Sequence, residues 1–204
     1  MVKSTVAHEA VRSIIRLIGD DPDRPGLRDT PARVFRAWKE LFAGYTTDPA
    51  ALLKTFDDID NDEMIVLRNC NFQSWCEHHM LPFSGVAHVG YLPEKGRVVG
   101  LSKLARLVDC FALRLQVQER MTVEVADALL HGVRAKGVGV VVEADEICGS
   151  DADECGEPRA AARAVVVVMH CASPARPALR RHVVSPMESD ERAPTLRIAC
   201  RPSR

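Results

Sequence analysis

Cys76-Glu77-His78-His79-Met80-Leu81-Pro82-Phe83 gathers a thiolate and two imidazoles within its first four residues. Soft metal ligands and proton-transfer groups in a single turn are the composition of a catalytic zinc site. Zinc takes Cys sulfur and His nitrogen, and a catalytic site uses three protein ligands with one position open for water, so a further ligand must come from elsewhere in the chain. Cys148 is the candidate. It follows an apolar run, Val138-Gly139-Val140-Val141-Val142, that reads as a buried strand. It lies two residues beyond Glu146, so both side chains share a face if the strand continues.

Outward from that turn, residues 64–67 and 86–92 read as strands, with a short third at Val98-Val99 before Gly100. Ser102 is placed to cap a helix from 103 to about 111, and residues 117–130 give a longer helix stopped by Gly132. Nearer the N-terminus, Val6, Val11, Ile14, Ile15 and Ile18 recur at roughly the helical period and end at Gly19. Residues 20–26, rich in Asp and Pro, form a loop. Thr30 then caps a second helix with Pro31 at its first position and Gly44 just past its end. Residues 45–62 read as a connector, and no internal repeat is present.

A chain of 204 residues, 47% hydrophobic, suits one domain with one core. The expected organisation is an N-terminal helical region over 1–45, a core over 46–148 and a tail over 149–204. That tail holds no Phe, Tyr, Trp or Lys and carries nine Arg against seven Asp and Glu, a poor composition for a core and one compatible with partial disorder, apart from Val165-Val166-Val167-Val168, a run that can stand in for a last strand. Divergence and a shifted reading frame both produce such a change. A net charge of −1 gives no general attraction to nucleic acid or anionic membrane, so phosphate binding must come from local Lys and Arg clusters. No run approaches the ~18 apolar residues of a membrane span, and the expected location is the cytoplasm. Seven scattered cysteines favour reduced thiols over a disulfide framework. Of these, Cys70, Cys110, Cys155, Cys171 and Cys200 read as buried or incidental, and His170-Cys171 is a weak alternative metal pair because strand neighbours face opposite ways.

Six motifs, in order and at about the right spacing, resemble the GTP cyclohydrolase I family. They are Gly19-Asp20-Asp21-Pro22, Thr30-Pro31-Ala32-Arg33-Val34, the Cys76 to Phe83 stretch, Gly100-Leu101-Ser102-Lys103-Leu104-Ala105-Arg106, Gln116-Val117-Gln118-Glu119-Arg120 and Val142-Glu143-Ala144. The resemblance covers roughly residues 5–148. It implies an α+β tunnelling fold (T-fold), an antiparallel sheet backed by helices, assembled as a homodecamer with sites between subunits. It further implies zinc-dependent hydrolysis of GTP to formate and 7,8-dihydroneopterin triphosphate, the first step toward folates and related pterins. By the same resemblance Cys76, His79 and Cys148 hold the zinc and His78 transfers protons. Glu119, beside Gln118, reads the guanine edge. Ser102, Lys103 and Arg106, joined by Arg33 and Arg36, contact the triphosphate.

Two features depart from the family pattern, which ends its last strand in Glu-Ala, any residue, His, any residue, Cys, then Arg-Gly. Here Glu146 stands in place of the second catalytic His, and Gly149-Ser150-Asp151 follows Cys148 without an Arg-Gly. A carboxylate of pKa ~4.3 is ionised at neutral pH and does not deliver a proton unless burial or a neighbouring charge raises it. The rival readings are a non-catalytic member that keeps zinc and GTP, and another tunnelling-fold enzyme acting on a purine or pterin.

Overall fold

The two strand-like stretches on either side of the Cys76 turn become the centre of one sheet in the computed structural model, which describes residues 4–56, 61, 63–94, 97–146, 162–171 and 180–184. Its strands are β2 (Ile65–Cys76), β3 (Pro82–Leu92), β5 (Leu115–Gln116), β6 (Gly137–Glu146), β7 (Ala162–Cys171) and β8 (Arg180–Val184). They lie in the order β5-β2-β3-β6-β7-β8, and every pairing is antiparallel except the parallel β2–β5 contact. A separate two-stranded ribbon joins β1 (Thr55–Phe56) to β4 (Val98–Val99).

Two helices, α4 (Leu101–Ala112) and α5 (Gln118–Val133), back the sheet. Alternation along the strands decides which side they cover. Val89 and Tyr91 of β3, Val138, Val140 and Val142 of β6, and Val166 and Val168 of β7 point into a common core with Leu104 and Leu107 of α4 and Met121 and Leu129 of α5. Each such side chain, fully buried, contributes about 1.5–3 kcal/mol relative to exposure. At Gly85 the β3 and β6 backbones approach so closely that a Cβ would lie 2.0 Å from the carbonyl oxygen of Glu143, so only glycine fits.

Several sequence expectations change. β2 does not stop at 67 but runs to Cys76 through a bulge between Leu67 and Cys70, where Asn69 takes a left-handed φ of 56°. A bulge inverts the alternation, which is why the sequence shows only its first half as a strand. Ser102 is not the cap of α4: Gly100 holds that position in extended conformation and Ser102 lies in the first turn. Thr30 is likewise the first residue of α2 (Thr30–Leu41), with Asp29 at the cap. Gly132 does not end α5. It lies inside the helix, where a Cβ would meet Leu53 Cδ1 at 2.4 Å, while Arg134 at φ 52° supplies the left-handed terminus. The valine run at 165–168, the candidate last strand of the tail, lies in β7, which pairs with β6 from Gly137↔Cys171 to Glu146↔Ala162 and buries Val165, Val166 and Val168.

The chain divides into two compact units, Met1–Ala43 and Gly44–Arg204. In the first, α1 (Ser4–Leu17) buries Val11 and Ile15 and packs on α2. Gly19, at φ 91°, turns the chain out of α1. Arg12 donates twice to Asp23, at 2.8 and 2.9 Å, and Arg24 forks onto Asp20 at 2.8 Å through both nitrogens. Among the described residues no helix is long and apolar enough to cross a membrane.

Candidate metal and nucleotide site

Cys76 closes β2, and the chain reverses over residues 77–81 before β3 begins. Two backbone bonds lock the reversal: Met80 N–H donates to the Cys76 carbonyl and Cys76 N–H to the Leu81 carbonyl, both at 2.8 Å. Met80 pays for the tight turn with a left-handed φ of 58°. Within it the Cys76 sulfur stands 3.5 Å from His78 Nδ1, and the His78 and His79 rings stand 6.5 Å apart, edge to face. Both imidazoles are exposed and Cys76 is half-buried, so the donors face outward from the end of the sheet.

A thiolate and two imidazoles in one turn are the donor types that zinc takes. The turn's donor chemistry therefore fits zinc. Sequence reasoning pairs Cys76 with His79, and the structure holds both imidazoles in the turn, with His78 Nδ1 3.5 Å from the sulfur. Among the described residues no three His, Cys, Asp or Glu side chains converge on a metal position. Cys148 lies outside the described residues. Glu146 is the last residue of β6, one step past the Asp145↔Ser84 pair, so its backbone sits at the edge of the sheet where β3 leaves the turn.

α5 begins beside this turn. Glu77 N–H donates to the Gln116 carbonyl of β5 at 3.0 Å, and the Glu77 carboxylate accepts from the Arg120 guanidinium in the first turns of α5. That guanidinium holds the Glu77 carboxyl below the usual carboxylate range. Gln118, 3% exposed, donates its amide to the Val142 carbonyl at 2.8 Å and so fastens the helix start to β6. Glu119, next to it, is exposed. The turn and the start of α5 are thus brought together as the motif spacing suggests.

The second group lies at the start of α4. Ser102 and Lys103 occupy its first turn and Arg106 the next, with Ser102 and Arg106 exposed and Lys103 half-buried. A helix N-terminus with no side-chain cap offers N–H donors and partial positive charge to an anion. The buried Tyr91 hydroxyl accepts from Val99 N–H at 2.7 Å and fixes the strand that leads into this helix. Arg33 and Arg36 are exposed on α2, in the N-terminal unit. Of the remaining motifs, His170 Nδ1 lies 2.9 Å from Asp127 of α5, while its buried Nε2 has no hydrogen-bond partner among the described residues. Burial pushes the Cys70 and Cys110 thiols up, as expected of inert cysteines. Sequence reasoning missed Arg120, Gln116 and Tyr91. The first two lie inside a quoted motif; the third carries no local signal.

The sequence profile of a family described as GTP cyclohydrolase I matches residues 7–183. A GTP cyclohydrolase 1 of Mycobacterium ulcerans (strain Agy99) is 57% identical over 143 residues, covering 70% of this chain and 71% of that protein. Its counterpart in Thermoanaerobacter pseudethanolicus is 50% identical over 148 residues, 72% of this chain and 79% of that protein. A GTP cyclohydrolase 1 of Streptomyces coelicolor is 52% identical over 145 residues, 71% of this chain and 72% of that protein. A crystal structure of the archaeosine synthase QueF-Like in the apo form superposes with a TM-score of 0.44 at 19% identity, over 54% of this chain and 95% of that one.

Proposed function

This chain belongs to the GTP cyclohydrolase I family, and from that membership we propose that it hydrolyses GTP to 7,8-dihydroneopterin triphosphate and formate, the first step toward folates. Its antiparallel sheet backed by helices is the tunnelling fold of that family. One observation supports this activity most directly: the turn that sets the Cys76 sulfur 3.5 Å from His78 Nδ1 is bonded to the helix start that carries Glu119.

Cys76, His79 and Cys148 would hold zinc, which when bound supplies Lewis-acid activation of water for attack on C8 of guanine. His78, exposed and within reach of the same turn, delivers and removes protons at the ring nitrogens, a task suited to an imidazole near pH 7. Glu119 accepts from guanine N1–H and the 2-amino group, an acceptor-only edge that discriminates against adenine. Gln118 sets the helix start from which Glu119 projects. Ser102, Lys103 and Arg106 receive the triphosphate at the α4 N-terminus. A homo-oligomer, a decamer by family resemblance, accompanies this reading, with GTP as the ligand and neither nucleic acid nor membrane as a partner.

Cys76→Ser tests the metal assignment, because a serine hydroxyl replaces the thiolate that zinc prefers. Wild-type protein should carry about one zinc per chain, and the variant should carry little. Full zinc occupancy in the variant, measured by atomic absorption, refutes the assignment. A second reading rests on Glu146, which stands where the family pattern has a His: a zinc- and GTP-binding member with impaired turnover. Formate release from GTP separates the two.

A further inference from the structure

Three hydrogen bonds and one turn of α5 close a ring behind the metal-competent turn, and none of the residues that form it has a role in the chemistry above. Glu77 accepts from Arg120 through its side chain and donates to the Gln116 carbonyl through its backbone. Gln116, 1% exposed, in turn donates its amide to the Glu124 carboxylate at 2.7 Å and to the Phe111 carbonyl at the end of α4 at 3.1 Å. Arg120 and Glu124 stand four residues apart on α5, on the same face of the helix, which completes the circuit. The ring joins the three elements that carry the proposed chemistry: the turn with Cys76, His78 and His79, the start of α5 with Glu119, and the β5 segment that links α4 to α5.

We propose that Glu77 and Arg120 are positioning residues that set the metal-binding turn against the guanine-reading helix, with buried Gln116 and half-buried Glu124 as their anchor. The proposal rests on the turn's being the zinc-binding turn. Geometry makes the case. Two-residue β5 gives the turn only one short parallel partner, the pairs Trp75↔Leu115 and Cys76↔Gln116. The β2–β3 ladder, running to Trp75↔Pro82, and the Cys76–Leu81 and Met80–Cys76 bonds hold the reversal itself, so its placement against α5 falls to contacts outside the hairpin. Glu77 is the residue after Cys76, and its two bonds, one to β5 and one to α5, tie the reversal to both. Groups behind metal ligands that fix their orientation commonly change metal affinity by 10–100-fold when removed.

The test compares wild-type protein with Arg120→Ala, Arg120→Lys, Glu77→Gln and the double variant Glu77→Gln/Arg120→Ala. Zinc affinity is read by competition with a chromophoric chelator, and hydrogen exchange of the Glu77 and Met80 amides is read in metal-free protein. Both side chains are partly exposed, so these variants should keep the fold, which circular dichroism checks. Arg120→Ala should weaken zinc about tenfold and speed exchange at both amides. Arg120→Lys should recover part of each loss, since the charge returns without the fork. The double variant should lose no more than Arg120→Ala alone. Affinities within about twofold of wild type, or losses that simply add in the double variant, overturn the proposal. A wild-type chain that takes up no zinc overturns the metal reading instead, and the amide exchange then decides the ring on its own: unchanged exchange in the variants sinks it.

Discussion

Glu146 is the residue on which the rate of the proposed reaction turns. A positioned general acid is worth ~10²- to 10⁴-fold, and an ordinary carboxyl, with its pKa of ~4.3, does not replace an imidazolium at neutral pH. Formate release by the wild-type chain should therefore be slow, and Glu146→His should raise it at least about tenfold at constant zinc content. A variant that binds zinc and GTP yet gains nothing places the defect beyond Cys148. Titration gives a second residue-scale expectation, in the N-terminal unit. The Arg24 fork, with help from Asp21 N–H, holds the Asp20 carboxyl down at about 2 against an ordinary 3.8. A depressed folded value means that this pair's stabilisation is complete above 3.8 and disappears as pH falls through about 2. Carbon-13 titration of the Asp20 carboxyl should show the low midpoint, and Arg24→Ala should move it back toward the ordinary value. Motif reading found the turn, Glu119 and the α4 cluster because their chemistry is local. It did not find the approach of His78 Nδ1 to the Cys76 sulfur, because that depends on how residues 77–81 reverse.

The β4–α4 junction shows how an element holds a site without touching substrate. Val99, 1% exposed, spends its N–H on the Tyr91 hydroxyl, and Gly100 follows as the cap of α4. Tyr91→Phe leaves that N–H buried and unpaired, a cost of about 1–3 kcal/mol. Urea unfolding should show this loss, and calorimetry should show weaker GTP binding as the first turn of α4 loosens. An unchanged unfolding midpoint removes Tyr91 from that role. No sequence pattern announces the bond, because a Tyr in an alternating strand reads as core whether or not its hydroxyl has a partner. Element boundaries were legible where a terminus had ordinary chemistry, as at Gly19. They were lost where tertiary contact overrode it, as at Gly132 against Leu53 and at the Asn69 bulge.

At the scale of the molecule, the sheet is completed from the part of the chain whose composition argued least for it. Val166 and Val168 lie in the common core although they sit in an Ala- and Arg-rich segment, and the family match runs to residue 183. The valine run at 165–168 was legible as a strand, while its full ten residues were not, because the flanking Ala and Arg carry no strand signal of their own. Val168→Asp should abolish the cooperative thermal transition by burying an unpaired charge at a position 1% exposed, whereas Val167→Thr, half-exposed on the opposite face, should change it little. A native-like transition for Val168→Asp in calorimetry contradicts that packing. The late arrival of β7 also matters during synthesis. The β6 edge, a valine-rich run of high strand propensity, has no partner on that side until residues 162–171 have been made. At roughly 5–20 residues per second the interval lasts a few seconds, and a ribosome that pauses within it exposes an edge ready to pair with a neighbouring nascent chain.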